Sequence, residues 1–404
     1  MRWTTLTPLM LLVAATQSPA DDSLRYAAEF VFPPEQFHNH SSSIVETAAG
    51  DLLVCWFHGK AERTDDTLVI QGARRKKGES RWSPPFVMAD NQDLPDQNCT
   101  LFIDSDDRLW LFWTSSIDNL VRSFFVKYRY STDYDGDGAP IWTWQDALFC
   151  RPKDAETAFP ELLKNRLERV ERSATLTEEW KAAFLAHAEE RQAMYSDKLF
   201  QRLGWLPRQP PIMLSEKRMM LGLYSDTFDC SMFAFTEDAG RTWEFSRPLE
   251  QFGIQPSIVR RKNGDLVAYL RSEPLTGCVE SRDGGMTWEE RPLSVANTGS
   301  SIAVLALKSG QWVMAVNDDL SGRHQLSLYL SEDEGMSWHR KRFLEKLDPT
   351  EGRTTSSYPT MIQTADGMIH VTYTYENEPE FSGKTIKHAW FSEAWIRAGR
   401  DLVP

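Results

Sequence analysis

The 404-residue sequence has little of what metal, nucleic-acid and membrane-spanning proteins need. Its five cysteines (Cys55, Cys99, Cys150, Cys230 and Cys278) are odd in number, and none stands at metal-ligand spacing. They read as buried core thiols, with at most two incidental disulfides. His38, His40 and His58 are close in sequence, but no His-x-x-x-His with a third ligand goes with them. Asp133, Asp135 and Asp137 alternate like a calcium loop yet lack its terminal Glu. No metal and no cofactor is therefore expected. Positive charge is also scarce. Forty-five Lys and Arg against 58 Asp and Glu leave a net charge of −13, which removes the basic face a nucleic-acid partner requires. Past the N-terminus no apolar run reaches about 18 residues, so no membrane span is expected.

The N-terminus itself has the order of a secretory leader. Arg2 precedes a mostly apolar stretch from Leu6 to Ala15, and Ser18-Pro19-Ala20 offers a small-x-small cleavage site. Residues 1–20 thus read as a signal peptide and residues 21–404 as one mature domain, secreted or periplasmic.

Aromatic residues are plentiful. Fifteen Trp and 21 Phe suit an all-β array, where large side chains fill the space between sheets. Three stretches share one pattern: Thr236-Glu-Asp238-Ala-Gly240-Arg-Thr242-Trp243, Ser281-Arg-Asp283-Gly-Gly285-Met-Thr287-Trp288 and Ser331-Glu-Asp333-Glu-Gly335-Met-Ser337-Trp338. In each, the Asp side chain can bond nearby backbone N–H groups while Gly takes positive φ, which makes a tight turn. A recurrence at this period points to a repeat array such as a propeller.

A second signal recurs six times: a polar turn, then an apolar strand, at Gly50-Asp51, Asp107-Arg108, Lys217-Arg218, Gly264-Asp265, Gly310 and Gly367. Six Trp residues (Trp82, Trp144, Trp243, Trp288, Trp338 and Trp395) are expected to close the repeats. Only the gap between the second and third copies is too long. Its excess, residues 154–205, is rich in Leu, Ala, Glu and Arg, and Thr175-x-x-Glu178 fits a capping box. The expected fold is an all-β, six-bladed β-propeller with two helices inserted between blades two and three.

Box, turn and strand order over roughly residues 38–396 resemble the sialidase (neuraminidase) superfamily, in particular its secreted sialidase-like proteins with Asp-box repeats. The resemblance implies arginines that hold a sugar carboxylate, an Asp acid/base, and a Tyr nucleophile activated by a Glu. Guanidinium groups suit a carboxylate because they bind it in a bidentate fork. Arg271 and Arg323 match two of the arginines, and Tyr358 matches the nucleophile. Asp66 is favoured over its neighbour Asp65 as the acid/base, while Asp65, Lys60 before it on the same loop, and Gln255 are candidates for binding the substrate. Tyr224 and Asp226 are further candidates for the pocket wall, while His388 reads as structural.

Two positions depart from the pattern. His38-Asn-His40-Ser stands where the first arginine belongs, and Gln255 stands where the activating Glu belongs. A Gln cannot take a proton from a phenol, and His40 is the alternative base. The implied function is that of an exo-α-sialidase-like glycoside hydrolase, which releases a terminal acidic sugar from a glycan by a retaining mechanism. His40 and Gln255 also suit a uronate-specific polysaccharide lyase or rhamnosidase-like propeller. A non-catalytic glycan-binding propeller is the reading outside enzymes. Asn39-His-Ser41 and Asn98-Cys-Thr100 fit the glycosylation pattern.

Overall fold

Each polar turn is followed by a strand that a sheet packed between two others would bury on both faces. The strands Leu109–Ser115, Met219–Ser225 and Trp312–Val316 are buried at every position. In the computed structural model, which describes residues 24–401 except 175, 351 and 379, they are second strands of antiparallel blades. The expected signal peptide and Thr175 of the capping box lie outside the described residues.

Six such sheets form a β-propeller. Their innermost strands are His38–Glu46, Asp96–Ile103, Leu206–Pro207, Ile254–Arg260, Ala303–Ala306 and Thr354–Gln363. The sixth blade draws on both ends of the chain, because Tyr26–Phe30 pairs antiparallel with Thr385–Phe391 as its outer strand. Glu29 on that strand accepts from Arg75 and from the Trp82 indole, and lies 3.2 Å from His388 Nδ1. His388 Nε2 in turn meets His370 Nδ1 at 2.9 Å. Burial pushes His388 down to about 4 and His370 to about 3, so both are neutral closure residues.

The three sequence boxes form the same turn. In the first, Asp238 accepts from Thr242 N and Thr242 Oγ1, and Gly240 N donates to Thr236 Oγ1. Gly335 shows why this turn needs glycine. Its φ is 78°, and a Cβ there would stand 2.2 Å from the Tyr269 hydroxyl of the preceding blade. Trp395 departs from the sequence expectation. It lies on a short helix, Glu393–Arg397, and stacks on Tyr26 at 4.6 Å, so it covers the N-terminal strand instead of closing a hairpin.

The insertion contains four helices, where two were expected: α1 (Ala155–Arg172), α2 (Glu178–Ala186), α3 (Ala188–Ser196) and α4 (Lys198–Arg202). Asp197 divides the last two, because its carboxylate accepts from Leu199 N and Phe200 N as an N-cap. Buried Arg166 of α1 donates to the carbonyls of Phe228 and Asp229, which fastens the insertion to blade three. All five cysteines are buried and free. Among the described residues no helix is long and apolar enough to cross a membrane.

Candidate active site

Four inner strands slip register at the same level: between His40 and Ser43, Gln97 and Thr100, Ile254 and Ser257, and Ser357 and Thr360. Each slip holds one non-glycine residue in the left-handed region: Ser41 (φ 60°), Asn98 (φ 49°), Gln255 (φ 54°) and Tyr358 (φ 59°). Blade five uses Gly299 (φ 65°) at the corresponding point. A bulge re-aims a side chain, and a non-glycine residue at positive φ costs about 1–3 kcal/mol, which the surrounding structure must hold in place. A hydroxyl two residues on does part of this. Ser43 Oγ accepts from Leu101 N at 3.0 Å, Ser257 Oγ accepts from Val304 N at 2.9 Å, and Thr360 donates to the Ser42 carbonyl. Every one of these bonds joins a blade to the next.

The bulges surround a cavity of about 410 Å³ on the axis. Tyr358 is part of its wall, and its hydroxyl accepts from Arg271 Nη1 at 2.9 Å. Arg271 Nε and Arg323 Nη2 both donate to the Gly299 carbonyl, at 2.6 and 3.0 Å. The two guanidinium groups are thereby fixed side by side, each within 6 Å of the Tyr358 ring centroid (5.9 and 5.7 Å). The His40 ring lies 4.2 Å from that of Tyr358, and its Nδ1 meets Thr374 Oγ1 at 2.7 Å. Burial, and then the charge of Lys384, holds His40 well below the usual histidine range, so it is neutral.

Tyr224 and Asp226 also line the cavity. Burial and the nearby Asp226 push the Tyr224 phenol well up, so it is a neutral donor; its oxygen accepts from Asn98 Nδ2 at 3.2 Å. Burial raises the Asp226 carboxyl, although Arg271 and Arg63 pull the other way, and Arg63 Nη2 lies 3.5 Å away. Gln255 Oε1 is buried and has no partner.

Three sequence candidates lie elsewhere. Lys60, Asp65 and Asp66 are not in the cavity wall. Asp65 accepts from Lys60 N at 2.6 Å and from Thr67 N at 3.0 Å, so it is spent in shaping the loop. Asp66 accepts from Asn119. The same loop instead sends Glu62 and Arg63 into the cavity. Asn39 and Asn98, which fit the glycosylation pattern, are buried side chains within the site region and not acceptors on an exposed loop.

Sequence reasoning missed Arg208, wholly buried beneath Tyr358. It donates to the carbonyls of Ser42 (3.1 Å), Tyr358 (2.6 Å) and Pro359 (3.3 Å). A charged residue inside Leu206-Pro-Arg208-Gln-Pro-Pro was the available signal. Among the described residues no group of three His, Cys, Asp or Glu could hold a metal.

A raised carboxyl pKa lets Asp226→Asn test the site without a substrate. Between the usual carboxylate range and its raised folded value, the folded state binds a proton that the unfolded chain has released. Stability contributed by Asp226 is therefore lost as pH rises through that window. The Asn variant should be more stable than the parent toward urea at pH 7, and the gain should vanish near pH 3, where both forms are protonated. Equal midpoints at both pH values would mean the carboxyl is not desolvated.

Fold and cavity define a sialidase-like propeller with a tyrosine–arginine centre. The chain belongs to the BNR repeat-like domain family, whose model matches residues 50–166 and 177–371. A protein of unknown function from Dyadobacter fermentans has the same fold at 15% identity, with a TM-score of 0.61 over 90% of this chain and 97% of that one. The leech intramolecular trans-sialidase is similar at 13% identity, with a TM-score of 0.63 over 89% and 68%. The intramolecular trans-sialidase of Ruminococcus gnavus is similar at 12% identity, with a TM-score of 0.64 over 90% and 96%. No curated protein matches the chain in sequence.

Proposed function

We propose that the protein is a glycoside hydrolase that releases a terminal acidic sugar from a glycan outside the cytoplasm. One observation carries this reading: Arg271 touches the Tyr358 hydroxyl and shares the Gly299 carbonyl with Arg323. Two oriented guanidinium groups beside a phenol bind a carboxylate and also stabilise negative charge on the attacking oxygen. The structural relatives support the substrate class, since the leech enzyme was seen with 2,7-anhydro-Neu5Ac and the Ruminococcus gnavus enzyme with oseltamivir carboxylate.

The steps follow from the side chains. Arg271 and Arg323 hold the sugar carboxylate. The Tyr358 oxygen attacks the anomeric carbon, a C–O bond forms, and the bond to the leaving oxygen breaks as Asp226 protonates it. Asp226 replaces Asp66 in this role, because its burial keeps a proton available. The Tyr358 proton passes to Nε2 of neutral His40 in the tautomer that carries its proton on Nδ1, 2.7 Å from Thr374 Oγ1. Burial makes His40 a weak base, and Arg271 Nη1 already donates to the oxygen that must give up its proton. Water then attacks the anomeric carbon as its bond to the Tyr358 oxygen breaks; Asp226, now ionised, takes the water proton, and His40 returns its proton to the departing phenolate.

The test is hydrolysis of a fluorogenic α-sialoside by the parent protein beside Arg271→Ala. Turnover by the parent and a loss of about 10²- to 10³-fold in the variant are expected. No turnover by the folded parent would sink the sialoside reading. Unpartnered Gln255 Oε1, in place of a carboxylate, favours one second reading: elimination on a uronate, with neutral His40 and Tyr358 moving the protons. A rise in absorbance near 235 nm on a uronate-containing polysaccharide would identify that reaction.

A further inference from the structure

The cavity wall includes a lysine contributed by blade six. Lys384 precedes the strand Thr385–Phe391 of blade six. Its backbone is stitched to blade one on both sides: Lys384 N donates to the Phe37 carbonyl at 3.0 Å, and its own carbonyl accepts from Asn39 Nδ2 at 2.9 Å. Gly383 makes the approach possible, since a Cβ there would stand 2.4 Å from the Glu35 carbonyl oxygen. Two strand edges thus fix where the lysine stem begins.

Among the described residues no hydrogen bond or ion pair reaches Lys384 Nζ, although the side chain is half-buried. Arg63, by contrast, is paired with Asp226 at 3.5 Å and Glu62 at 3.9 Å. The blade-one carboxylate in this wall is Glu62, which pairs with His38 Nε2 at 3.7 Å and with Arg63. Lys384 is the first charge acting on His40 and on His38, and it adds to the burial that keeps both unprotonated. Arg208 and then Arg323 act on His40 as well. The cations Arg323 and Lys384 therefore both face His40, whose ring lies against Tyr358. An ammonium in a cavity wall without a bonded partner is free to pair with an anion that enters.

We infer that Lys384 is a substrate-binding residue which, with Arg271 and Arg323, completes the site for the sugar carboxylate from the blade-one side. This deepens the proposed function and rests on it. The lysine also makes recognition depend on the junction between the first and last blades, so an acidic sugar would bind across the point where the ring closes.

The test is calorimetric titration of 2-deoxy-2,3-didehydro-N-acetylneuraminic acid and its methyl ester into the parent, Lys384→Met, Lys384→Arg and Arg271→Met. Glucuronate and its methyl ester serve as a second carboxylate pair. A charged hydrogen bond is worth about 10- to 100-fold in affinity. Lys384→Met should lose about that much for the acid and little for the ester, and Lys384→Arg should recover most of it. An unchanged acid-to-ester ratio in Lys384→Met, with Arg271→Met impaired, would overturn the role of Lys384 and leave the proposed function standing. Equal loss of acid and ester without rescue by arginine would mean a structural role and also overturn it. A parent protein that binds neither acid, while melting as a folded protein, would overturn the proposed function itself and the inference with it.

Discussion

Tyr358→Phe should lower kcat on an α-sialoside by at least about 10³-fold while KM changes only a few-fold. The substitution deletes one oxygen. It keeps the left-handed backbone at φ 59°, the ring contact with His40, and both arginines on the Gly299 carbonyl. Ground-state binding of the carboxylate should survive, because Arg271 and Arg323 hold it without the phenol. What disappears is the covalent route, and a loss in kcat with KM kept is how the removal of a transition-state group reads. A fluorinated sialosyl inhibitor should leave a mass adduct on the parent peptide that contains Tyr358, and none on the variant. An active Phe variant would remove the nucleophile from the mechanism. A parent that turns over without any adduct would point to elimination.

Arg208→Ala should cost about 3–5 kcal/mol of stability, read as a lower urea midpoint. Arg208 is fully buried, and its guanidinium holds the carbonyls of Ser42, Tyr358 and Pro359 on the inner strands of blades one and six. Next to it Gln209 Nε2 donates to the carbonyls of Ile302 (2.7 Å) and Pro359 (3.1 Å), which brings in blade five. Blade three, whose own inner strand is short, thus pins three others at the axis. Truncation leaves three buried acceptors without a donor, each worth about 1–3 kcal/mol before water relaxes the gap. Arg208→Met should be nearly as damaging, since it restores volume and no donors. A Met variant as stable as the parent would show that packing, not hydrogen bonding, accounts for the residue. Activity should fall with stability, because the Tyr358 carbonyl is one of the three acceptors.

The position of Asp66, outside the cavity wall, shows where sequence reading stops. An Asp-Asp pair on the right loop offers two carboxylates, and nothing local says which one shapes the loop. Asp65 is held by Lys60 N and Thr67 N, Asp66 is taken by Asn119, and the wall receives Glu62. Asn119 is 53 residues away in the chain. Likewise, the acid chosen here, Asp226, comes from blade three and meets Arg63 of blade one. The bulges were more legible than they seemed. The residue at positive φ is followed two places later by Ser or Thr in Ser41-Ser-Ser43, Asn98-Cys-Thr100, Gln255-Pro-Ser257, Gly299-Ser-Ser301 and Tyr358-Pro-Thr360. That second repeat marks the inner strands as clearly as the boxes mark the outer turns.

The sequence by itself determined the repeat. Box turns and the strands they close are made within eight or so residues, by one Asp, one Gly and one hydroxyl, so their period survives in the chain and counts the blades. It also offered Arg271, Arg323, Tyr358, Tyr224, Asp226, Gln255 and His40 as site candidates, and these residues line one cavity. Tertiary structure alone decided what they touch. Gly299 orients two arginines from different blades, Arg208 sits under a tyrosine 150 residues away, and Lys384 faces His40 only because the first and last blades meet. The fold repeats because its turns are local. The site does not repeat, because each blade gives the axis a different side chain, and only closure of the ring brings those side chains together.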